Sequence, residues 1–214
     1  MADLPFPLSG PLALTLADAL DVERKIPRAL EALGPLVGRD VALVGAGEGL
    51  MAARLAELGS TPRCLPLQQP FRLEAPDASL DAVVTLWDGF RGPDAASLAE
   101  ADRALRPAGR LLVVHDYGRD DVSGLRDPDS PEYASWSRRD GPFLRTFGFR
   151  VRVLHCFWTF PAIEDAQTFL ADAFGERGVA VGAGMRRPRL SWNVAVYHRS
   201  RGGEPSTGPD GVDG

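Results

Sequence analysis

The sequence predicts an α/β protein in which strands alternate with helices to build a doubly wound, mostly parallel sheet. Short near-continuous apolar runs such as VALV, DAVVTL and RLLVV suit strands covered on both faces. Segments with apolar residues at helical spacing separate them. Gly, Pro and Asp stand where one kind of segment gives way to the other. With 214 residues, 44% of them hydrophobic, the chain can bury one full core. A single domain over residues 12–199 is expected, between an extended arm (1–11) and a disordered tail (200–214).

The elements follow in order. Residues 1–11 are rich in Pro and Gly and read as extended. Apolar residues recur at helical spacing over 12–37. Pro27 suits the first turn of a second helix, which Gly34 and Pro35 close. Residues 40–44 read as a buried strand. GAGEG then leads into a helix through Leu58, stopped at Gly59. RCLPL is a short strand and 81–86 a longer one. Pro93 opens a helix, and RPAG turns the chain into a strand over 110–115. Residues 118–131 are polar and turn-rich, as in a long loop. Ser130 and Pro131 suit the start of a helix through Arg139, and Asp140 the start of another ending at Gly148. A strand over 149–157, an amphipathic helix over 161–174 stopped by Gly175, and a last strand over 191–199 complete the domain. The tail of Gly, Pro, Ser and Asp has little to bury.

A formal charge of -5 argues against a general nucleic-acid binder, which carries a basic face. Cys64 and Cys156 lie in apolar, strand-like runs and are expected to be reduced. His115, His155 and His198 fall in three separate runs, so no metal site is expected. The first residues lack the basic start and continuous apolar core of a secretory leader, and no run is long enough to span a bilayer. These features predict a cytoplasmic protein acting on a small molecule. No GxSxG, Walker, HExxH or CxxC pattern is present.

Residues 41–50, VALVGAGEGL, carry the sharpest signal. Glycines after a first strand permit a tight turn, let backbone N–H groups approach a ligand and seat the next helix. The spacing is GxGxG, with Leu50 where the dinucleotide fingerprint GxGxxG has its last glycine, which disfavours an NAD-dependent oxidoreductase. GxGxG after the first strand, APDASLDAVVTLW before the fourth and LRPAGRLLVV into the fifth together resemble the class I S-adenosylmethionine-dependent methyltransferases. The resemblance covers roughly residues 25–118. It implies a Rossmann-like sheet of about seven strands, the last antiparallel, and S-adenosylmethionine as cofactor. It places the cofactor at Gly45, Ala46, Gly47, Glu48 and Gly49, with Leu86 and Trp87 at the end of the fourth strand. The chain departs from that pattern where the family carries acids. Leu43 stands two residues before the first glycine, Pro66 at the end of the second strand, and Gln69 at the position facing the adenine. Glu48 and Glu74 are the candidate substitutes. The stretch from 66 to 77 is also too short for the usual helix and strand.

In open α/β sheets the reacting groups lie beyond the carboxyl ends of the strands. VVHDYGRDD supplies His115, Asp116 and Tyr117 there as candidate catalytic groups, since a histidine near neutrality can take a proton from an acceptor. TLWDGF supplies Asp88 and WSRRDGPF supplies Trp136, Arg138 and Arg139 as candidate substrate contacts, the arginine pair suiting a carboxylate or phosphate. The bland alternatives are a histidine packed at a strand end, acids that cap turns, and arginines on a solvated helix face. RRPR at 186–189 reads as a solvated basic loop, and the aromatic strand near Trp158 as core and a sheet edge open to a second copy. Two functions follow: a small-molecule methyltransferase, or a chain of that fold that has lost its cofactor and serves as a binding or scaffold module.

Overall fold

The structure, a computed structural model, describes residues 3–45, 49–87, 90, 94–127, 144 and 146–202. The elements in chain order are α1 (Gly10–Ala19), α2 (Lys25–Leu33), β1 (Val41–Val44), α3 (Leu50–Glu57), β2 (Arg63–Leu65), β3 (Leu80–Leu86), α4 (Ala95–Ala104), β4 (Leu105–Asp116), a 3-10 turn (Val122–Leu125), β5 (Arg150–Thr159), α5 (Ile163–Ala183) and β6 (Arg189–Ser200). The expected helices near Pro131 and Asp140, and the tail from residue 203, lie outside the described residues.

Six strands form one sheet in the order β2-β1-β3-β4-β6-β5. β1 to β4 pair in parallel, and β6 runs antiparallel to both neighbours, so β5 points the same way as the first four. Alternate residues of each strand feed two cores. Leu43, Val84, Leu86, Leu112 and Val114 pack with α1, α2, α3 and α5 on one face. Ala42, Val44, Val83, Leu111 and Val113 pack with α4 on the other. The largest fully buried side chains include Trp158 and Trp192, each contributing about 2–3 kcal/mol of apolar burial.

Three local outcomes refine the sequence reading. First, the sheet has six strands where the resemblance implies about seven. Residues 66–79 form neither helix nor strand, because the segment is too short for a crossover of about a dozen residues and a further strand. It is pinned to α4 instead. The Glu100 carboxylate accepts from the Leu73 N–H at 2.9 Å, and Arg103 donates to the carbonyls of Leu73 and Ala75. Second, RPAG is taken into β4 as a bulge. Leu105 pairs with Leu80 and Arg110 with Ala82, with Ala108 between them at φ 66°. Third, Gly175 stops the helix as expected, but a second helical stretch follows it. The chain kinks there (φ 57°, ψ -135°) and resumes helix to Ala183.

Candidate functional site

The site begins where β1 hands over to α3. Gly45 closes the strand with its N–H on the Leu65 carbonyl at 2.9 Å and turns at φ 83°, a conformation that favours glycine. Ala46, Gly47 and Glu48 lie outside the described residues, as do Asp88, Trp136, Arg138 and Arg139. Gly49 caps α3 with an ordinary φ of -99°. Its lack of a side chain matters for a different reason: a β-carbon there would displace the Asp3 carboxylate from its present seat.

That carboxylate comes from the N-terminal arm, residues 3–9. Asp3 is 2% exposed. Its Oδ2 accepts the Met51 N–H at 2.7 Å, supplying the cap that a glycine at the start of α3 cannot. Its Oδ1 is buried and makes no hydrogen bond among the described residues. Burial pushes the Asp3 carboxyl above the usual range, offset in part by the Met51 N–H and the charge of Arg54. The Asp3 carbonyl accepts from the indole Nε1 of Trp87 at 2.7 Å. Leu86 and Trp87 are both buried at the end of β3, and Trp87 stands at φ 46°, a backbone that a tryptophan keeps only when its surroundings hold it.

The arm continues across the carboxyl ends of the strands. Arg126 donates to the Pro5 carbonyl at 3.0 Å and lies 4.1 Å over the Phe6 ring. Phe6 meets Trp158 edge-on at 5.5 Å and Phe174 at 5.0 Å. Trp192 links this cluster to Trp87, at 6.2 Å from Trp158 and 5.4 Å from Trp87. Edge-to-face contacts of this kind add about 0.5–1.5 kcal/mol each beyond area burial.

Among the proposed catalytic trio, β4 separates the members. His115 is buried and, by strand alternation, shares the α4 side with Val113. Tyr117 packs on that side too. Asp116 faces the opposite way, where the Trp192 indole donates to it at 2.7 Å and Arg126 forms an ion pair with it. Its side chain is 9% exposed, so both oxygens are committed. The acids that follow fasten the loop to β6. Asp120 accepts from the Asn193 N–H at 2.6 Å, and Asp121 accepts from the Ser191 N–H and hydroxyl at 2.8 and 2.7 Å.

Of the positions where the resemblance expects acids, Leu43 is buried in the core, while Pro66 and Gln69 are exposed. Glu74 is exposed and takes a hydrogen bond from Gln68 at 2.8 Å. The carboxylate that does reach the start of α3 is Asp3, which sequence reasoning missed. The available signal was the apolar alternation of Leu4, Phe6 and Leu8 beside a lone acid, which a solvated arm would not need. Arg126, the cation that meets both the arm and Asp116, was missed as well.

Elsewhere a groove of about 530 Å³ opens between the end of α5 and the start of β6, lined among others by Phe157, Met185, Arg186, Arg187 and Arg189. Among the described residues no three His, Cys, Asp or Glu gather in a way that could hold a metal ion. No helix of the described residues is long and apolar enough to cross a membrane.

No family model matches the chain, and no curated protein matches its sequence. Solved structures do match in fold. A protein of Anaeromyxobacter dehalogenans, provisionally named a type II methyltransferase, superimposes with a TM-score of 0.52 at 18% identity, covering 83% of this chain and 95% of its own. A protein of Anabaena variabilis, provisionally named a methyltransferase of an antibiotic-biosynthesis pathway, gives 0.53 at 15% identity, covering 86% and 99%. The chain therefore shares the Rossmann-like fold of these proteins, with a six-stranded sheet.

Proposed function

We propose that this chain is an S-adenosylmethionine-dependent methyltransferase acting on a small molecule. The observation that carries the proposal is the handover from β1 through Gly45 to α3, beside the buried end of β3 at Leu86 and Trp87. Open sheets of this kind take their ligands outside these strand ends. Bound there, the cofactor would supply an electrophilic methyl group on a sulfonium. The chain's share of the work would be to orient an acceptor and exclude water. His115, on the α4 side of β4, is the proposed proton acceptor, because both oxygens of Asp116 are already engaged. Asp88, Trp136, Arg138 and Arg139 remain proposed acceptor contacts. The acidic charge favours a small molecule over nucleic acid as the partner.

A second reading has a specific observation in its favour: Asp3 already caps α3, and the carboxylates expected around the cofactor are replaced by Leu43, Pro66 and Gln69. On that reading the chain keeps the fold as a binding module. Calorimetric titration with S-adenosylmethionine and S-adenosylhomocysteine decides between them. Saturable heat, abolished by Gly47→Val, is the expected result. No heat and no thermal shift at millimolar ligand removes the methyl-transfer reading.

A further inference from the structure

The arm reaches the start of α3, where the Asp3 carboxylate meets a helix N-terminus. An α-helix begins with backbone N–H groups that have no partner inside the helix and that attract negative charge. At α3 one of these, the Met51 N–H, is held by the Asp3 carboxylate. S-adenosylmethionine carries a carboxylate at its amino-acid end, so a cofactor lying over the end of β1 would offer a group of the same charge and shape. The glycine at 49, the position a loop of this kind keeps open for close approach, is filled by the carboxylate of this very chain.

The contact is not an isolated cap. The same residue ties its carbonyl to Trp87 at the end of β3. Three residues on, Phe6 is set between Arg126, Trp158 and Phe174. Arg126 holds the Pro5 carbonyl and Asp116 at once. The arm thus bridges α3, the end of β3 and the loop after β4. Two features make the closed position one that can be left. Asp3 Oδ1 is buried with no hydrogen bond among the described residues, which lowers the gain from seating the carboxylate. The arm itself joins no strand or helix of the described fold before Gly10, so lifting it breaks no sheet or helix ladder.

We infer that residues 3–9 form an autoinhibitory latch: the Asp3 carboxylate occupies the ligand seat at the start of α3, and the arm must lift before a carboxylate-bearing cofactor can bind. This rests on the methyl-transfer reading, and the test separates the two. S-adenosylhomocysteine is titrated by calorimetry into the full chain, into Asp3→Asn and into Phe6→Ala. The second variant loosens the arm without touching the seat. A latch closed at least about nine-tenths of the time weakens apparent affinity at least about tenfold, so both variants should bind at least about tenfold more tightly than the parent. Amide exchange at Met51 should quicken in both, reporting that the arm has lifted. Equal affinity in all three proteins, with faster exchange in the variants, overturns the latch and leaves the methyl-transfer reading standing. Weaker binding by Asp3→Asn overturns it too, making Asp3 a cofactor contact. Absence of binding in all three overturns both.

Discussion

On α4 the Glu100 carboxylate is buried and gathers the Leu73 N–H at 2.9 Å, two hydrogen bonds from Arg103 at 3.0 and 2.8 Å, and Arg72 at 3.5 Å. The Arg103 hydrogen bonds are the main cause that holds its carboxyl down, from 4.5 to about 2. The native state therefore stays ionised at pH values where the unfolded chain takes up a proton. Its stabilising effect is full above pH 4.5 and is lost as pH falls toward 2. Glu100→Gln should cost about 1–3 kcal/mol at neutral pH, measured by urea denaturation, and the gap to the parent should narrow between about pH 5 and 3. A gap that ignores pH would show that the charge is not the source. Residues of this kind also mark the limit of sequence reading at the site. Gly45 was legible because a glycine after a strand has few other uses. Asp3 was not, because its partner Met51 lies 48 positions away and an acid in a Pro-rich arm looks solvated. The split of His115 from Asp116 was legible in principle, since neighbours on a strand point to opposite faces.

Among the elements, the strands of the sheet were the most legible, because apolar runs bounded by turns leave little choice. Helix α5 was the least. Gly175 reads as a stop, and its φ of 57° is that of many helix ends, but its ψ of -135° sends the chain back into helix. What holds the second half is contact with the first: a β-carbon at Gly178 would collide with the Leu170 backbone. No periodicity in one dimension reveals that fit. Gly178→Ala should destabilise the protein by about 1–3 kcal/mol through overpacking against a backbone that cannot yield, although alanine is the better helix former. Thermal unfolding checks this. A raised midpoint would mean the kink is not packed as described.

Across the whole molecule the two cores share one sheet, and the cysteines report on it from unequal depths. Cys64 is half-buried and Cys156 buried, and neither is in a disulfide. Burial pushes the Cys156 thiol well up, so it holds little reactive thiolate. A thiol reagent should label Cys64 in the native protein and reach Cys156 only at the rate of global unfolding, read by mass spectrometry over time in dilute denaturant. Prompt double labelling would place the end of β5 outside the cooperative unit. The arm has a consequence on a longer timescale as well. What presses against Gly49 is residue 3 of the same chain. A glycine motif can thus be preserved by an internal tenant, with no ligand to maintain it. Descendants that lose the acid at position 3 would be free to drift at position 49, and the two positions should change together.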